Sequence, residues 1–234
     1  MIRDPLREVL EVAERTPDEA TAADLDPGDV ATLALARRRF GVALPPPFAP
    51  RPAEPARLPI RSGGPTDGAA VAAVQRRAWR ASYRGVVSDA FLDDLDLDYL
   101  GGLWGGRAAG APSARHRLLV AGRPGEVHGV VDTGPTRDED GRGQAELGEI
   151  RNLHVDPSVA GAGLGTTLLA VAEAALAASG FTGATLWVIE GNARARRFYG
   201  RWGWAADGAT KTTKAGTEDL SVVRYRLTSA LGAA

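Results

Sequence analysis

Apolar residues recur at helical spacing in several segments of the chain. The i, i+3, i+4 pattern predicts helices over Thr66–Ala81 and Asn192–Arg201, and an alanine-rich segment predicts another helix that ends at Gly180. Residues 89–107 also predict a helical region, which their glycines are expected to interrupt. The amphipathic pattern implies that each helix buries one face, so the helices are expected to flank a sheet.

Segments rich in β-branched and aliphatic residues lie between these helices and predict strands. They cover residues 58–63, 116–134, 145–155, 183–192 and 219–227, and Pro124-Gly125 divides the second segment into a hairpin. The third and fourth segments are joined by a strand–glycine loop–helix–strand crossover, whereas the earlier segments are expected to pair antiparallel. The predicted fold class is therefore α/β, with a mixed, mostly antiparallel twisted sheet flanked by helices.

The N-terminal part of the chain differs in composition from the rest. Residues 1–43 predict a helical extension that is too short to bury a core alone. Residues 44–57 are dense in proline and predict a stiff linker, so residues 58–234 form the predicted main domain. The extension either packs on this domain or docks a partner. That partner could be a second copy of the chain, which would form a homodimer.

The overall composition excludes several classes of protein. The 234 residues have 44% hydrophobic and 24% charged content and a formal net charge of -1, so neither nucleic acid nor an anionic membrane is expected as a partner. The chain has no cysteine, which excludes disulfides and thiolate chemistry. His116, His128 and His154 are not at metal-ligand spacing, so no metal is expected. Neither a signal peptide nor an apolar membrane span is recognisable, and the expected location is cytoplasmic.

Glycines at every second position precede the helix that ends at Gly180. Gly161, Gly163 and Gly165 allow positive φ and close approach of another molecule, and a helix start presents unpaired N–H groups, so the loop predicts an anion site. The dinucleotide fingerprint G-x-G-x-x-G does not fit, because Thr166 stands where the third glycine would be. A P-loop does not fit either, because no lysine follows Gly165.

Two polar residues accompany this loop further along the chain. Asn192 and Tyr199 are seven residues apart, about two helical turns, so the predicted helix places them on one face. Ala195, Phe198 and Trp202 form a separate apolar stripe. A lone tyrosine is more often packing than chemistry, but a polar neighbour and an anion loop make Tyr199 a functional candidate.

The segments "LHVDPSVAGAGLGTTLLAVAEAAL" and "LWVIEGNARARRFYGRWGW" together resemble the GCN5-related N-acetyltransferase (GNAT) superfamily, and the likeness extends over about residues 58–228. It implies that the strand Leu153, His154 and Val155 pairs with the pantetheine arm of acetyl-CoA and that Asn192 contacts this cosubstrate. The pyrophosphate would be held by the main-chain amides of Gly161, Ala162, Gly163, Leu164, Gly165 and Thr166. The family usually has Gln or Arg where this sequence has Ala160, so phosphate binding would rest on main-chain N–H groups alone.

The resemblance also implies a chemistry, in which an amine attacks the thioester directly. Tyr199 would protonate the leaving thiolate, and Glu149 would be the general base, with Glu146 and Glu190 as further candidates. A main-chain N–H near Val155 would stabilise the oxyanion. The alternative for Glu149 is an exposed strand carboxylate paired with Arg151.

The expected function is therefore acetyl-CoA-dependent N-acetylation of a primary amine of a small molecule or peptide. The alternative is a non-catalytic CoA-binding sensor or interaction module on the same fold. Candidate acceptor-binding residues, of which each aromatic could equally belong to the core, are Trp79, Tyr83, Arg84, Trp104 and Trp187.

Overall fold

A computed structural model describes residues 58–110, 113–138, 146–228 and 231. Within these residues, seven strands form one sheet in the order β1-β2-β3-β4-β5-β7-β6. The strands are β1 (Ile60–Ser62), β2 (Arg117–Arg123), β3 (Glu126–Pro135), β4 (Leu147–Val155), β5 (Gly183–Ile189), β6 (Trp204–Ala215) and β7 (Glu218–Leu227). The helices are α1 (Gly68–Tyr83), α2 (Asp89–Asp93), α3 (Leu97–Ala109), α4 (Leu164–Ala178) and α5 (Ala193–Arg201). The α/β fold class, with a mostly antiparallel sheet flanked by helices, is confirmed.

The two faces of the sheet have separate cores because successive strand residues point to opposite sides. Leu119, Val131 and Ile150 pack with the apolar residues of α4. Val120 and Val130 pack on the other face with residues of α1 and with Trp104 of α3. The sheet is thus covered by α4 on one side and by α1 and α3 on the other.

The glycines of α3 do not interrupt the helix, contrary to the sequence prediction. The break comes earlier, at residues 94–96, and the Asp96 side chain caps the new helix by accepting from the N–H groups of Asp98 and Tyr99. At Gly68, a Cβ would come within 2.4 Å of the Gly101 carbonyl oxygen. The glycines there allow the backbones of α1 and α3 to approach closely.

The strands β4 and β5 are parallel and pair over only part of their length. Their register runs from Leu147–Gly183 to Ile150–Leu186, although β4 continues to Val155 and β5 to Ile189. The β3–β4 register shifts between Asp132 and Thr133, so β4 carries an extra residue at this point. A bulge bends and twists the strand that contains it, and beyond this bulge β4 and β5 are no longer paired with each other.

The strand β6 is an element that the sequence analysis missed. Its residues from 205 to 214 are almost all exposed, so no alternation of apolar and polar residues marks it. It is held by antiparallel pairing with β7, and its register shifts between Ala206 and Thr210, where Gly208 has a φ of 90°.

The predicted helical extension (1–43) and proline-rich linker (44–57) lie outside the described residues, so the predicted domain division stays a prediction. Among the residues that the structure describes, no helix is both long and apolar enough to cross a membrane. The cytoplasmic location also stays a prediction.

Candidate active site

The glycine loop between β4 and α4 is open at its surface. Gly161 and Gly163 both have a φ of 87°, and a Cβ at either position would have no described neighbour within 4 Å. Gly163 is the N-cap of α4, and no side chain among the described residues caps this helix end. The first N–H groups of α4 are therefore free to bind an anion, as the sequence predicts.

The start of this loop is fixed to α1 by an ion pair between a buried carboxylate and a half-exposed arginine. The Asp156 carboxylate accepts from Arg77 Nε at 2.8 Å, and it also accepts from the backbone N–H of Ser158 at 3.0 Å. At the other end, a Cβ on Gly165 would lie 3.7 Å from Val155, an ordinary contact distance. Gly165 is thus not required by backbone strain, unlike Gly161 and Gly163.

The end of β4 leads from the sheet into the glycine loop. Leu153 and Val155 pack against the α4 core, while their main chain has no β5 partner among the described residues. Unpaired strand N–H and C=O groups can pair with an extended ligand as they would with another strand. An open strand edge that continues into an anion-binding helix start is suited to a long ligand with phosphate groups.

Tyr83 lies beside both Asn192, at the start of α5, and Tyr199, in its last turn. Asn192 is the N-cap of α5, and its side-chain oxygen accepts from the Ala195 N–H at 3.0 Å. Burial raises the pKa of Tyr83, and a hydrogen bond with the Asn192 side chain partly offsets this. Burial, and secondly the nearby Tyr83, raise the pKa of Tyr199. The acceptor candidate Tyr83 is therefore a neighbour of both Asn192 and Tyr199.

Glu149 is buried, with 2% of its surface exposed. Arg137 holds both carboxylate oxygens, through Nη2 at 2.6 Å and Nε at 3.1 Å, and its backbone N–H donates at 3.0 Å. Arg151 Nε lies 3.9 Å from the same carboxylate. The alternative interpretation of Glu149 is wrong about exposure, because the carboxylate is buried. Its predicted pairing with Arg151 is present, although Arg137 is the closer partner. Glu146 and Glu190 are both exposed.

The other acceptor candidates fall into different environments. Trp79 contacts the rings of Tyr83 and His154, with centroids 5.5 and 6.4 Å apart. The indole nitrogen of Trp79 and Nε2 of His154 are both buried without a hydrogen-bond partner among the described residues. Arg84 is exposed and pairs with Asp89 of α2 at 2.9 Å. Trp104 belongs to the core, where its indole nitrogen donates to Gln75 at 2.7 Å.

Trp187 lies beside a charged group that the sequence analysis did not single out. Its indole nitrogen donates to the Asp138 carboxylate at 3.0 Å, and the Lys211 ammonium stands 3.8 Å from a ring centroid. Lys211 is also 3.2 Å from Asp138. Arg224 makes a further ion pair with Asp138 at 3.4 Å. An indole face and a carboxylate thus already bind one aliphatic ammonium group.

The family of the chain follows from a comparison of its sequence with family profiles. The profile described as "Acetyltransferase (GNAT) family" matches residues 75–204, more than half of the chain. The chain belongs to the acetyltransferase (GNAT) family. The resemblance predicted from the glycine loop and from the segment around Asn192 and Tyr199 is confirmed, since the matched range contains both. No curated protein matches this sequence.

Solved structures of GNAT-fold proteins are similar to this chain. The PaiA N-acetyltransferase from Thermoplasma acidophilum in complex with coenzyme A has a TM-score of 0.54 and 19% identity, and covers 70% of this chain and 96% of its own. YncA, a putative acetyltransferase from Salmonella typhimurium with its cofactor acetyl-CoA, has a TM-score of 0.53 and 22% identity, with coverage of 74% and 94%. A ribosomal-protein-alanine N-acetyltransferase from Brucella melitensis has a TM-score of 0.53 and 21% identity, with coverage of 71% and 97%. At these identities the likeness concerns the fold.

The sequence analysis found the candidate site residues but missed the charged residues that contact them. Arg137 and Asp138 lie in a charged loop that carries no motif, and Lys211 lies on the unrecognised β6. Their positions follow from strand pairing, which brings residues far apart in sequence together. No group of metal-binding side chains occurs among the described residues.

Proposed function

We propose that this GNAT protein is an acetyl-CoA-dependent N-acetyltransferase that acts on a primary amine of a small molecule or peptide. The observation that carries the proposal is the opening between β4 and β5, which begins after Ile150–Leu186 and continues into the glycine loop. Its strand edge suits the pantetheine arm, and the open Gly161 and Gly163 at the α4 N-terminus suit the pyrophosphate. When bound, acetyl-CoA supplies an activated acetyl thioester.

Main-chain groups carry most of the proposed binding. The N–H groups of residues 161–166 would bind the phosphates, and Leu153, His154 and Val155 would pair with the pantetheine arm. Asn192 would reach the same ligand from the α5 N-cap, with its side-chain oxygen already occupied by Ala195. Because Ala160 offers no polar side chain, phosphate affinity would depend on the loop backbone.

Tyr199 is the proposed donor of the proton to the leaving sulfur. Burial raises the pKa of Tyr199, so its hydroxyl keeps its proton throughout the neutral range. The rings of Phe198 and Trp204, with centroids 5.2 and 6.3 Å from that of Tyr199, hold the side chain in place. A positioned hydroxyl that carries its proton at neutral pH can donate it to the thiolate as the thiolate leaves.

Glu149 is the proposed general base, and Arg137 controls its availability. Since Arg137 donates to both carboxylate oxygens, the amine proton reaches Glu149 after Arg137 moves aside or by way of water. The Arg137 side chain is 58% exposed, so it can move without disturbing the core. Trp187 and Asp138 would bind the acceptor ammonium before deprotonation, at the place where Lys211 now lies.

A pair of variants at Gly163 tests the cosubstrate site. CoA should raise the melting temperature of the wild-type protein. At a free CoA concentration of about 100 times Kd, binding adds about 2.7 kcal/mol to the free energy of unfolding. Gly163→Asp should abolish the shift because it places a carboxylate against the phosphates. Gly163→Ala has the same backbone strain without the charge and should retain a shift. An undiminished shift in Gly163→Asp would contradict the assignment of the loop.

The second candidate function is a CoA-binding module without turnover. It is favoured by the engagement of the Glu149 carboxylate with Arg137, which leaves no free base at this position. A panel of amine acceptors incubated with acetyl-CoA, with free thiol as the readout, separates the two functions. Release of thiol that depends on an amine supports the enzyme, whereas CoA binding with no release across the panel supports the module.

A further inference from the structure

Four arginines converge on a pocket at the sheet face that α1 and α3 cover. Its volume is about 200 Å³. We call it the arginine pocket, and define it by Arg107 of α3, Arg117 of β2, Arg137 of the loop after β3, and Arg151 of β4, around the imidazole of His116. Its floor includes Leu118, which packs in the core of α1 and α3. The pocket is therefore on the opposite face from α4 and its glycine loop.

Carboxylates neutralise only part of the positive charge of the arginine pocket. Arg107 pairs with Asp132 at 3.4 Å, and Arg137 pairs with Glu149. Arg117 donates to the carbonyls of Ala114 and His116 and has no ion-pair partner among the described residues. Four guanidinium groups against two carboxylates leave an excess of two positive charges.

His116 reports how closely these charges approach. Burial, and then Arg151, Arg137, Arg107 and Arg117, lower the pKa of His116 to about 4. The imidazole is therefore neutral at pH 7, and it contacts the Arg151 guanidinium directly. A Cβ at Gly134 would lie 2.6 Å from the His116 ring. Glycine at this position therefore leaves the space that the ring occupies.

We propose that the arginine pocket binds the carboxylate or phosphate group of a small molecule. Guanidinium groups present paired N–H donors that match the oxygens of such acids. Pockets for whole drug-sized ligands measure roughly 300–1,000 Å³. The smaller volume here suits an acidic group with a few carbon atoms rather than an entire cosubstrate.

The pocket shares two of its arginines with the surroundings of Glu149. Arg137 binds Glu149 directly, and Arg151 Nε lies 3.9 Å from it. If Glu149 is the general base, an acceptor whose amine lies at Glu149 could place a second, acidic group in the pocket. The assignment of the acidic group to the acceptor rests on the proposed function. A separate anion would bind whether or not the protein catalyses acetyl transfer.

Succinate is the probe for binding, measured by calorimetry on the full chain saturated with CoA. Saturation removes the glycine loop as a competing anion site. Wild-type protein should bind succinate, and Arg117→Gln should weaken binding at least about tenfold, since one charge-assisted hydrogen bond is lost. Arg123→Gln changes an exposed arginine at the other end of the same strand and should leave binding unchanged.

Two outcomes would overturn the proposal. One is the absence of succinate binding to wild-type protein, and the other is an equal loss in Arg117→Gln and Arg123→Gln, which would indicate a general charge effect. Arg107→Gln serves as a second variant if Arg117→Gln fails to fold. The NMR titration of His116 needs no variant, because an anion in the pocket should raise the pKa of this imidazole from about 4.

Turnover then distinguishes the two sources of the acid. With acetyl-CoA, 4-aminobutyrate should be a better acceptor than butylamine, and succinate should compete with it, if the acid belongs to the acceptor. Succinate binding without such competition assigns the pocket to a separate anion. Succinate binding with no turnover of any amine would refute the proposed function and leave the pocket assignment standing.

Discussion

Tyr199 is a partly buried residue whose ring and hydroxyl have separable roles. The ring packs among Phe198, Trp204 and Tyr225, whereas the hydroxyl lies near Tyr83. Removal of the hydroxyl alone therefore tests chemistry with little effect on packing.

Tyr199→Phe should lower kcat by roughly tenfold to a few hundredfold, because positioned acid catalysis contributes about 10²–10⁴-fold and a thiolate is a good leaving group. Affinity for CoA and the melting temperature should barely change. Tyr225→Phe is the matched control, since it removes a neighbouring hydroxyl that interacts with Arg196. Steady-state kinetics on an accepted amine measures both variants.

The pH profile adds a second readout for Tyr199. Because burial raises the pKa of Tyr199 above its ordinary value of about 10, its ionisation should not shape the basic limb below that pH. Wild-type and Tyr199→Phe profiles should therefore be parallel there. Wild-type turnover by Tyr199→Phe would mean that this tyrosine only packs.

The sequence identified Glu149 and Tyr199 as candidates but not the groups that act on them. The type of each residue and its spacing from the glycine loop are local properties of the sequence. The Arg137–Glu149 pair depends instead on the β3–β4 register and its bulge. No local pattern indicates which arginine of an arginine-rich chain reaches a buried carboxylate.

The helices α1 and α3 show how glycine composition misled the prediction of an element. Glycine lowers helix propensity, which favours an interruption within 89–107. The close crossing at Gly68 and Gly101 explains why small residues are needed there despite their poor propensity. Propensity is a weak local preference, and tertiary packing overrides it.

Gly68→Ala should destabilise the protein by about 1–3 kcal/mol, as expected for overpacking. Its Cβ would lie 2.4 Å from the Gly101 oxygen and 2.8 Å from the Gly105 nitrogen, and both are backbone atoms that cannot rotate away. Gly102→Ala is the control, because a Cβ there has no neighbour within 4 Å. It should stabilise α3 by about 0.5–1 kcal/mol. Urea denaturation measures both, and equal effects would refute the packing role of Gly68.

The pH dependence of folding is a property of the whole molecule to which two histidines contribute. Burial lowers the pKa of His116 and of His154 to about 4, whereas an unfolded histidine titrates near about 6.5. Below about pH 6.5 the unfolded chain binds protons that the folded chain does not. Stability should therefore be lost as the pH falls from about 6.5 towards 4.

His154→Phe should reduce that loss by roughly 1–2 kcal/mol between pH 7 and pH 5. Phenylalanine fits a similar space, and the buried Nε2 of His154 has no described hydrogen-bond partner to lose. Urea unfolding of wild type and variant at both pH values measures the difference. An unchanged pH dependence in the variant would show that His154 is protonated in the folded state.

The exposed strand β6 has a consequence for how the molecules behave at high concentration. Its outer side has no strand neighbour among the described residues, and such an edge can template pairing with another chain. Lys211, Lys214 and the irregular stretch at Gly208 interrupt that edge with charge and twist. The polar residues that kept β6 from being predicted also act against edge-to-edge aggregation. Loss of these charges would therefore favour pairing of β6 with the sheet of another molecule.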